Sequence, residues 1–145
     1  MFKHILMPTD GSDASRGAIR DCIAFAKDAG AEVSGLHVMP EYPVYAYEAE
    51  MLMDTRQQYT AQCVELANAY LAEIKAAADQ AGVKCSTFYV TGDSPYEAIV
   101  KASEDRHCDL IAMASHGRKG VQGFLLGSET QKVLTHSRLP VLVFR

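Results

Sequence analysis

A glycine-rich segment late in the chain carries the residue types that can bind a phosphate group. It runs from Ser115 to Ser128, between an apolar run and a helical pattern, and it contains Arg118 and Lys119. Glycines let backbone amides approach a ligand, and a helix N-terminus offers unpaired N–H groups and a favourable dipole. The P-loop pattern is absent, because no lysine separates Gly127 from Ser128. By itself the segment predicts either an anion site or a glycine-rich connection capped by Ser128.

An aspartate directly after the first apolar run is a second candidate for ligand contact. Asp10 follows Pro8 and Thr9, and its carboxylate could accept hydrogen bonds from ribose hydroxyls. It could equally cap the next helix, a role that Ser12 or Asp13 could also fill. We assign ligand contact to Asp10, capping to Ser12 or Asp13, and the end of a strand to Thr9.

No catalytic or metal-binding set can be assembled from the sequence. His116 invites a general-base interpretation, but no nucleophile, base and orienting residue occur at a recognisable spacing. We therefore expect a turn-stabilising or phosphate-contacting role for His116. The four cysteines have no zinc-ligand spacing.

Short β-rich runs alternate with longer helical patterns along the chain. This alternation predicts parallel strands joined by right-handed crossovers, hence a doubly wound α/β sheet with helices on both faces. Ligands of such sheets bind beyond the carboxyl ends of the strands, which directs attention to residues 9–13, 38–47, 91–94 and 115–128. The predicted strands are His4–Pro8, Glu32–Met39, Val83–Val90, Asp109–Ala114 and Pro140–Phe144. The predicted helices end at Gly30, run from about Glu48 to Gln80, from Pro95 to about His107, and from about Ser128 to Ser137.

The start of the third helix has the strongest local signal. Ser94-Pro95-Tyr96-Glu97 is a capping box with proline at the first helical position. It predicts that the Ser94 hydroxyl accepts from the Glu97 amide and that the Glu97 carboxylate accepts from the Ser94 amide.

Composition restricts the class of protein. A length of 145 residues predicts one domain over residues 1–145. A net charge of −4 argues against nucleic acid as a partner. No apolar run approaches the roughly 18 residues of a membrane span, and no signal peptide is recognisable, so we expect a cytoplasmic protein without a membrane partner.

The motifs together resemble the universal stress protein family. The resemblance spans Lys3 to Arg145 and includes the opening strand and turn, the glycine-rich segment and the last strand. The ATP-binding branch of that family has the pattern G-x2-G-x9-G-[ST]. Here Gly117, nine residues and Gly127-Ser128 match its second half, and Ala114 stands at the first position.

The resemblance implies a strand order of 3-2-1-4-5, a homodimer, and ATP, with or without Mg²⁺, as the ligand. Asp10 and the Val38 backbone would hold adenine and ribose. Gly117, Gly127 and Ser128, with the amide of Glu129, would hold the phosphates. The full set of expected binding residues is Pro8, Thr9, Asp10, Val38, Met113, Ala114, His116, Gly117, Arg118, Gly127, Ser128, Glu129 and Thr130.

The last strand gives the dimer a physical basis as well. The segment Leu139–Arg145 is short, apolar and placed at a sheet edge by the implied order, and an exposed edge invites pairing with a second copy. The segment Tyr42–Met53 could form a lid over the ligand or a partner surface, or its tyrosines could pack on a neighbouring helix.

Three functions remain open on the sequence. The first is a nucleotide-binding regulatory module that hydrolyses ATP slowly if at all, and that signals through the dimer or an unknown protein partner. The second is an adenine-nucleotide hydrolase or transferase, since residues 9–15 distantly resemble the loop of ATP pyrophosphatases. The third is an interaction protein that has lost nucleotide binding, which the alanine at 114 allows.

Overall fold

The computed structural model describes residues 1–41, 49–117 and 126–145, and the side chains of the long second helix from residue 55 onward. The predicted lid segment therefore lies largely outside the described residues, as do Arg118 and Lys119. The strands are β1 (His4–Pro8), β2 (Glu32–Met39), β3 (Cys85–Thr91), β4 (Leu110–Ala114) and β5 (Val141–Phe144). The helices are α1 (Asp13–Ala29), α2 (Ala49–Ala81), α3 (Pro95–Asp105) and α4 (Ser128–His136).

The five strands form one parallel sheet in the order β3-β2-β1-β4-β5, which confirms the predicted fold. Ile5 of β1 is paired with Val33 of β2 on one side and with Leu110 of β4 on the other. Since side chains alternate between the faces of a strand, consecutive apolar residues in β1 supply both faces of the sheet.

Helices α1 and α2 cover one face. The core there unites apolar side chains from both helices with one face of β1, β2 and β4, and full burial of such a side chain stabilises by about 1.5–3 kcal/mol. Its strand residues include Ile5, Met7, Val33, Leu110 and Ala112, and its helical residues include Ile19, Cys22, Ile23, Leu71 and Ile74.

Helices α3 and α4 cover the opposite face. Among the described residues, the core on this side is the smaller of the two. Its buried apolar residues are Leu6, Leu36, Ile99, Ala102, Cys108, Ile111, Met113 and Val133.

Helix α2 is longer than the sheet it packs on. Its 33 residues span about 50 Å at about 1.5 Å per residue. The buried positions Ala67, Tyr70, Leu71, Ile74 and Ala78 all lie in its second half, whereas the side chains at 55–58 and 60–62 are exposed. Among the side chains described from residue 55 onward, those buried against the rest of the fold therefore lie in the second half of α2.

The ends of α1 follow the predicted local chemistry. The Ser12 hydroxyl accepts from the Ser15 amide at 3.2 Å and so caps the helix, which confirms one of the two predicted caps. Gly30 ends the helix with φ of 67°, a left-handed conformation that glycine adopts without strain.

The capping box predicted for α3 is wrong. Ser94 is the N-cap residue and Pro95 opens the helix, but the Ser94 side chain makes no capping hydrogen bond. The amide of Tyr96 instead donates to Oε2 of Glu129 at 2.9 Å, and the carboxylate of Glu97 accepts from the Tyr96 hydroxyl at 3.0 Å. A carboxylate from α4 thus takes the place of the local partners.

The predicted end of α3, both predicted ends of β3 and the cap expected for α4 also need correction. Helix α3 ends at Asp105 rather than near His107, because His107 has a left-handed φ of 54°. Strand β3 begins and ends later than predicted, at Cys85 and Thr91. The cap of α4 is Gly127, and Ser128 is the first helical residue.

Candidate functional site

A cavity of about 160 Å³ lies at the carboxyl ends of β1 and β4, the two central strands. The chain leaves β1 toward one edge of the sheet and β4 toward the other, so this is the topological switch point at which doubly wound folds bind ligands. The cavity is lined by Pro8, Thr9, Asp10, Ser15, Val38, Pro95, Ile99, Met113, Ala114, His116, Gly117, Glu129 and Thr130.

Ten of the thirteen residues expected from the sequence lie in this wall. The exceptions are Gly127 and Ser128, which lie beside it at the start of α4, and Arg118, which lies outside the described residues. The sequence analysis missed Ser15, Pro95 and Ile99. Pro95 and Ile99 are four residues apart, on one face of α3, and Pro95 directly follows a segment that the switch-point rule marks.

The Asp10 carboxylate is fixed by the turn in which it lies. Its Oδ1 accepts from the Ser12 amide at 2.9 Å and from the Ser15 hydroxyl at 2.8 Å. Asp10 therefore supports the start of α1 besides lining the cavity. The orientation of its carboxylate is set before any ligand arrives.

Two glycines bring the backbone close to its neighbours at this end of the sheet. A Cβ at Gly117 would collide with Oδ2 of Asp10. A Cβ at Gly127 would lie 3.1 Å from the backbone Cα of His116, and the Gly127 amide donates to the carbonyl of Ser115 at 2.7 Å. A larger residue at Gly117 would displace the Asp10 carboxylate, and one at Gly127 would require the His116 backbone to shift by a few tenths of an ångström.

The first turn of α4 is anchored to β4. The hydroxyl of Thr130, which is buried, donates to the carbonyl of Ala114 at 3.0 Å. Ala114 itself is buried and belongs to the core on the α1 side of the sheet. These contacts fix the position of the α4 N-terminus relative to the cavity.

Glu129 joins the first turns of α3 and α4. Its Oε2 accepts from the Tyr96 amide, and its Oε1 lies 3.2 Å from Nζ of Lys132. The Tyr96 ring also packs against His136, with ring centroids 4.9 Å apart. The pKa of the Tyr96 hydroxyl is raised, chiefly because it donates to Glu97 and its deprotonation would place a second negative charge there.

The described cavity wall has two acidic side chains among its polar groups. Two carboxylates, Asp10 and Glu129, face one histidine, and Nδ1 of that His116 lies 3.1 Å from the Ser115 hydroxyl. The described lining residues include no lysine or arginine. An anionic ligand would thus depend on backbone amides and helix N-termini within this part of the wall.

Neither a metal cluster nor a membrane span is found in the part of the chain that the structure describes. No three His, Cys, Asp or Glu side chains within it lie close enough together to hold a metal ion. Among its helices, none is both long and apolar enough to cross a bilayer.

The sheet order and the cavity define the class: a doubly wound α/β protein with a cavity at the switch point of its sheet. The model of the universal stress protein family matches residues 1–145. The chain therefore belongs to the universal stress protein family, as the sequence motifs predict.

Relatives of known name and structure agree with this assignment. The universal stress protein MJ0531 of Methanocaldococcus jannaschii is 33% identical over 145 residues, which cover all of this chain and 83% of that protein. The solved structure of MJ0577, from the same organism, has a TM-score of 0.83 and 35% identity over 99% of this chain and 95% of that one. A universal stress protein solved in complex with cAMP shares the fold, with a TM-score of 0.70 and 24% identity over 99% of this chain and 97% of that one.

Proposed function

We propose that this protein is a cytoplasmic nucleotide-binding module that holds an adenine nucleotide, ATP in the first place, in the switch-point cavity. The observation that carries the proposal is the meeting of Asp10, an apolar wall and the start of α4 in one cavity. The family relative solved with cAMP gives an example of an adenine nucleotide held by this fold.

The apolar part of the wall suits the base, and Asp10 suits the sugar. Pro8, Val38, Ile99 and Met113 offer apolar surface to a flat ring, and a carboxylate with a fixed orientation can accept from ribose hydroxyls. The volume of about 160 Å³ is below the roughly 300–1,000 Å³ of pockets that enclose a whole drug-sized ligand. The cavity would therefore enclose the base and part of the sugar.

The phosphates would then lie outside the enclosed volume, toward Gly117, Gly127 and the first turn of α4. Unpaired amides at a helix N-terminus attract anions, and Ser128 and Glu129 supply such amides in α4. A magnesium ion that accompanies ATP would be bound through the phosphate oxygens.

Binding would be transmitted through a homodimer. Strand β5 pairs with β4 on one side and lies at the edge of the sheet on the other, where a second copy can pair. The Ser115 amide, at the start of the glycine-rich segment, donates to the carbonyl of Phe144 in β5 at 2.8 Å. Ser115, which directly precedes His116 of the cavity wall, would thus connect the binding site to the dimer edge.

The cytoplasmic location rests on the thiols. All four cysteines are free, two of them buried, as expected for a reducing compartment.

A titration of the purified protein with ATP, with phosphate release and sedimentation followed in parallel, tests the proposal. We expect micromolar affinity, slow release of phosphate and a dimer. Gly127→Val should abolish ATP binding because the added side chain meets the His116 backbone. Gly17→Val is the control, since a Cβ at Gly17 meets nothing within 4 Å.

Each other outcome favours a different function. Rapid turnover would favour the hydrolase or transferase. Absence of binding in the wild type and in Ala114→Gly would leave an interaction protein. Unchanged ATP affinity in a folded Gly127→Val protein would contradict the assignment of the phosphates to this segment, and a monomer would contradict the dimer.

A further inference from the structure

The carboxylate of Glu129 lies at the edge of the cavity where helices α3 and α4 begin. Glu129 is the second residue of α4, and its Oε2 accepts from the Tyr96 amide in the first turn of α3. Carboxylates are stabilised at helix N-termini by the same amides and dipoles that would attract a phosphate. The Glu129 carboxylate thus neutralises part of the positive potential of these helix N-termini, which would otherwise attract an anionic ligand.

We infer that Glu129 is a specificity-determining residue that limits how many phosphate charges the cavity accepts. The inference rests on the proposed nucleotide function and deepens it. Adenosine is neutral and would not interact with the carboxylate charge, whereas each added phosphate would be repelled by it. Affinity for ATP relative to adenosine is then set in part by this one side chain.

The described charges near Glu129 offset its repulsion of phosphate groups only in part. Asp10 adds a second carboxylate to the wall, and no lysine or arginine occurs among the described lining residues. Lys132 lies 3.2 Å from Oε1 of Glu129 and offsets some of its charge. The Glu129 side chain is 38% exposed, so solvent and salt screen the effect without abolishing it.

Glu129→Gln is the variant that isolates the charge. Glutamine keeps an oxygen acceptor for the Tyr96 amide, so the contact between α3 and α4 is retained. We expect the ATP dissociation constant to fall about tenfold and that of AMP about threefold, with adenosine changed less than about twofold. The gain for ATP should shrink between about 50 mM and 500 mM NaCl, because salt screens the repulsion.

Glu97→Gln is the matched control. Glu97 follows Tyr96 in the same turn of α3 and bonds its hydroxyl, but it lies outside the cavity wall. The Glu97→Gln substitution changes the net charge of the protein by the same amount as Glu129→Gln. Because the changed charge lies outside the cavity wall, the ATP affinity of this variant should stay within about twofold of the wild type.

Isothermal titration of wild type and both variants with adenosine, AMP, ADP and ATP decides the matter. Equal gains for adenosine and ATP in Glu129→Gln, or an equal ATP gain in Glu97→Gln, would overturn the inference and leave the proposed function intact. Absence of binding by all four ligands in all three proteins would overturn the proposed function and the inference with it.

Discussion

Helices α1 and α3 both begin beside the cavity, but their first turns have different kinds of hydrogen-bond partner. The partner is close in sequence for α1 and distant in sequence for α3. In α1 the cap is local: Ser12 accepts from Ser15, and Asp10 holds the Ser12 amide. In α3 the Tyr96 amide donates to Glu129, 33 residues further along the chain. The Ser94 and Glu97 side chains, which have the local capping pattern, take no part in capping.

The difference between α1 and α3 indicates under which conditions a local capping pattern predicts the contact that forms. At α1 the serine in the cap position makes the contact that the local rule predicts, and Asp10 from the same turn supports it. At α3 a charged acceptor arrives from another helix, and hydrogen bonds to charged groups are the stronger ones. In both cases a carboxylate that supports a helix start, Asp10 or Glu129, also lines the cavity.

The largest expected effect concerns the turn that leads into α1. Gly11 has φ of 76°, and a Cβ there would collide with the Tyr70 ring. We expect Gly11→Ala to lower the free energy of unfolding by about 3 kcal/mol, from left-handed strain and overpacking together. Urea denaturation measures this loss.

Gly30→Ala is the control for Gly11→Ala. Gly30 has φ of 67° but nothing within 4 Å of a Cβ, so only the strain of about 1–2 kcal/mol applies. Equal losses in the two variants would show that Tyr70 yields easily and that the turn is less tightly fixed than the contacts indicate.

The second prediction compares the two caps directly. Ser12→Ala should lower the free energy of unfolding by about 1 kcal/mol, because the first turn of α1 loses its acceptor. Ser94→Ala should change it by less than about 0.5 kcal/mol, because the Ser94 side chain makes no capping bond. Urea denaturation of both variants checks the pair, and equal losses would restore the capping box at α3.

The smallest expected effect on the free energy of unfolding concerns Glu129, which accepts from the Tyr96 amide at the start of α3. Glu129→Ala should lower the free energy of unfolding by about 0.5–1 kcal/mol, since the Tyr96 amide loses a partly solvent-exposed charged acceptor. Thermal unfolding followed by circular dichroism gives the change. Glu97→Ala, which removes an acceptor of the Tyr96 hydroxyl only, should have less effect. A larger loss in Glu97→Ala would mean that the local carboxylate is the true cap.

The fold could be predicted from the sequence because its signals are local and mutually consistent. Consecutive apolar residues predict the buried strand β1, and Gly30 and Gly82 end helices with positive φ of 67° and 73°. The strand order needed the family resemblance, since alternation of strands and helices alone fits several orders.

The residues of the candidate site that lie in turns after strands could be predicted from the sequence. Those that lie on helices were harder to predict. Asp10 and Gly117 lie in the turns that follow the central strands β1 and β4, so the switch-point rule finds them. Ser15 and Ile99 reach the same cavity from helical faces, and their roles depend on how α1 and α3 pack. Glu129 could be predicted as an amide donor, but its carboxylate contact depends on the spacing of two helices.

Helix α2 has a further consequence for the way this molecule opens. A stretch of helix with little buried side-chain surface is held less firmly than one packed in the core, and such segments open at lower free energy. Its exposed part, residues 55–62, should therefore exchange amide hydrogens with solvent early. The amides near Leu71, Ile74 and Ala78 should exchange only when the sheet itself opens. A single continuous helix would thus report two different opening reactions, one at each end.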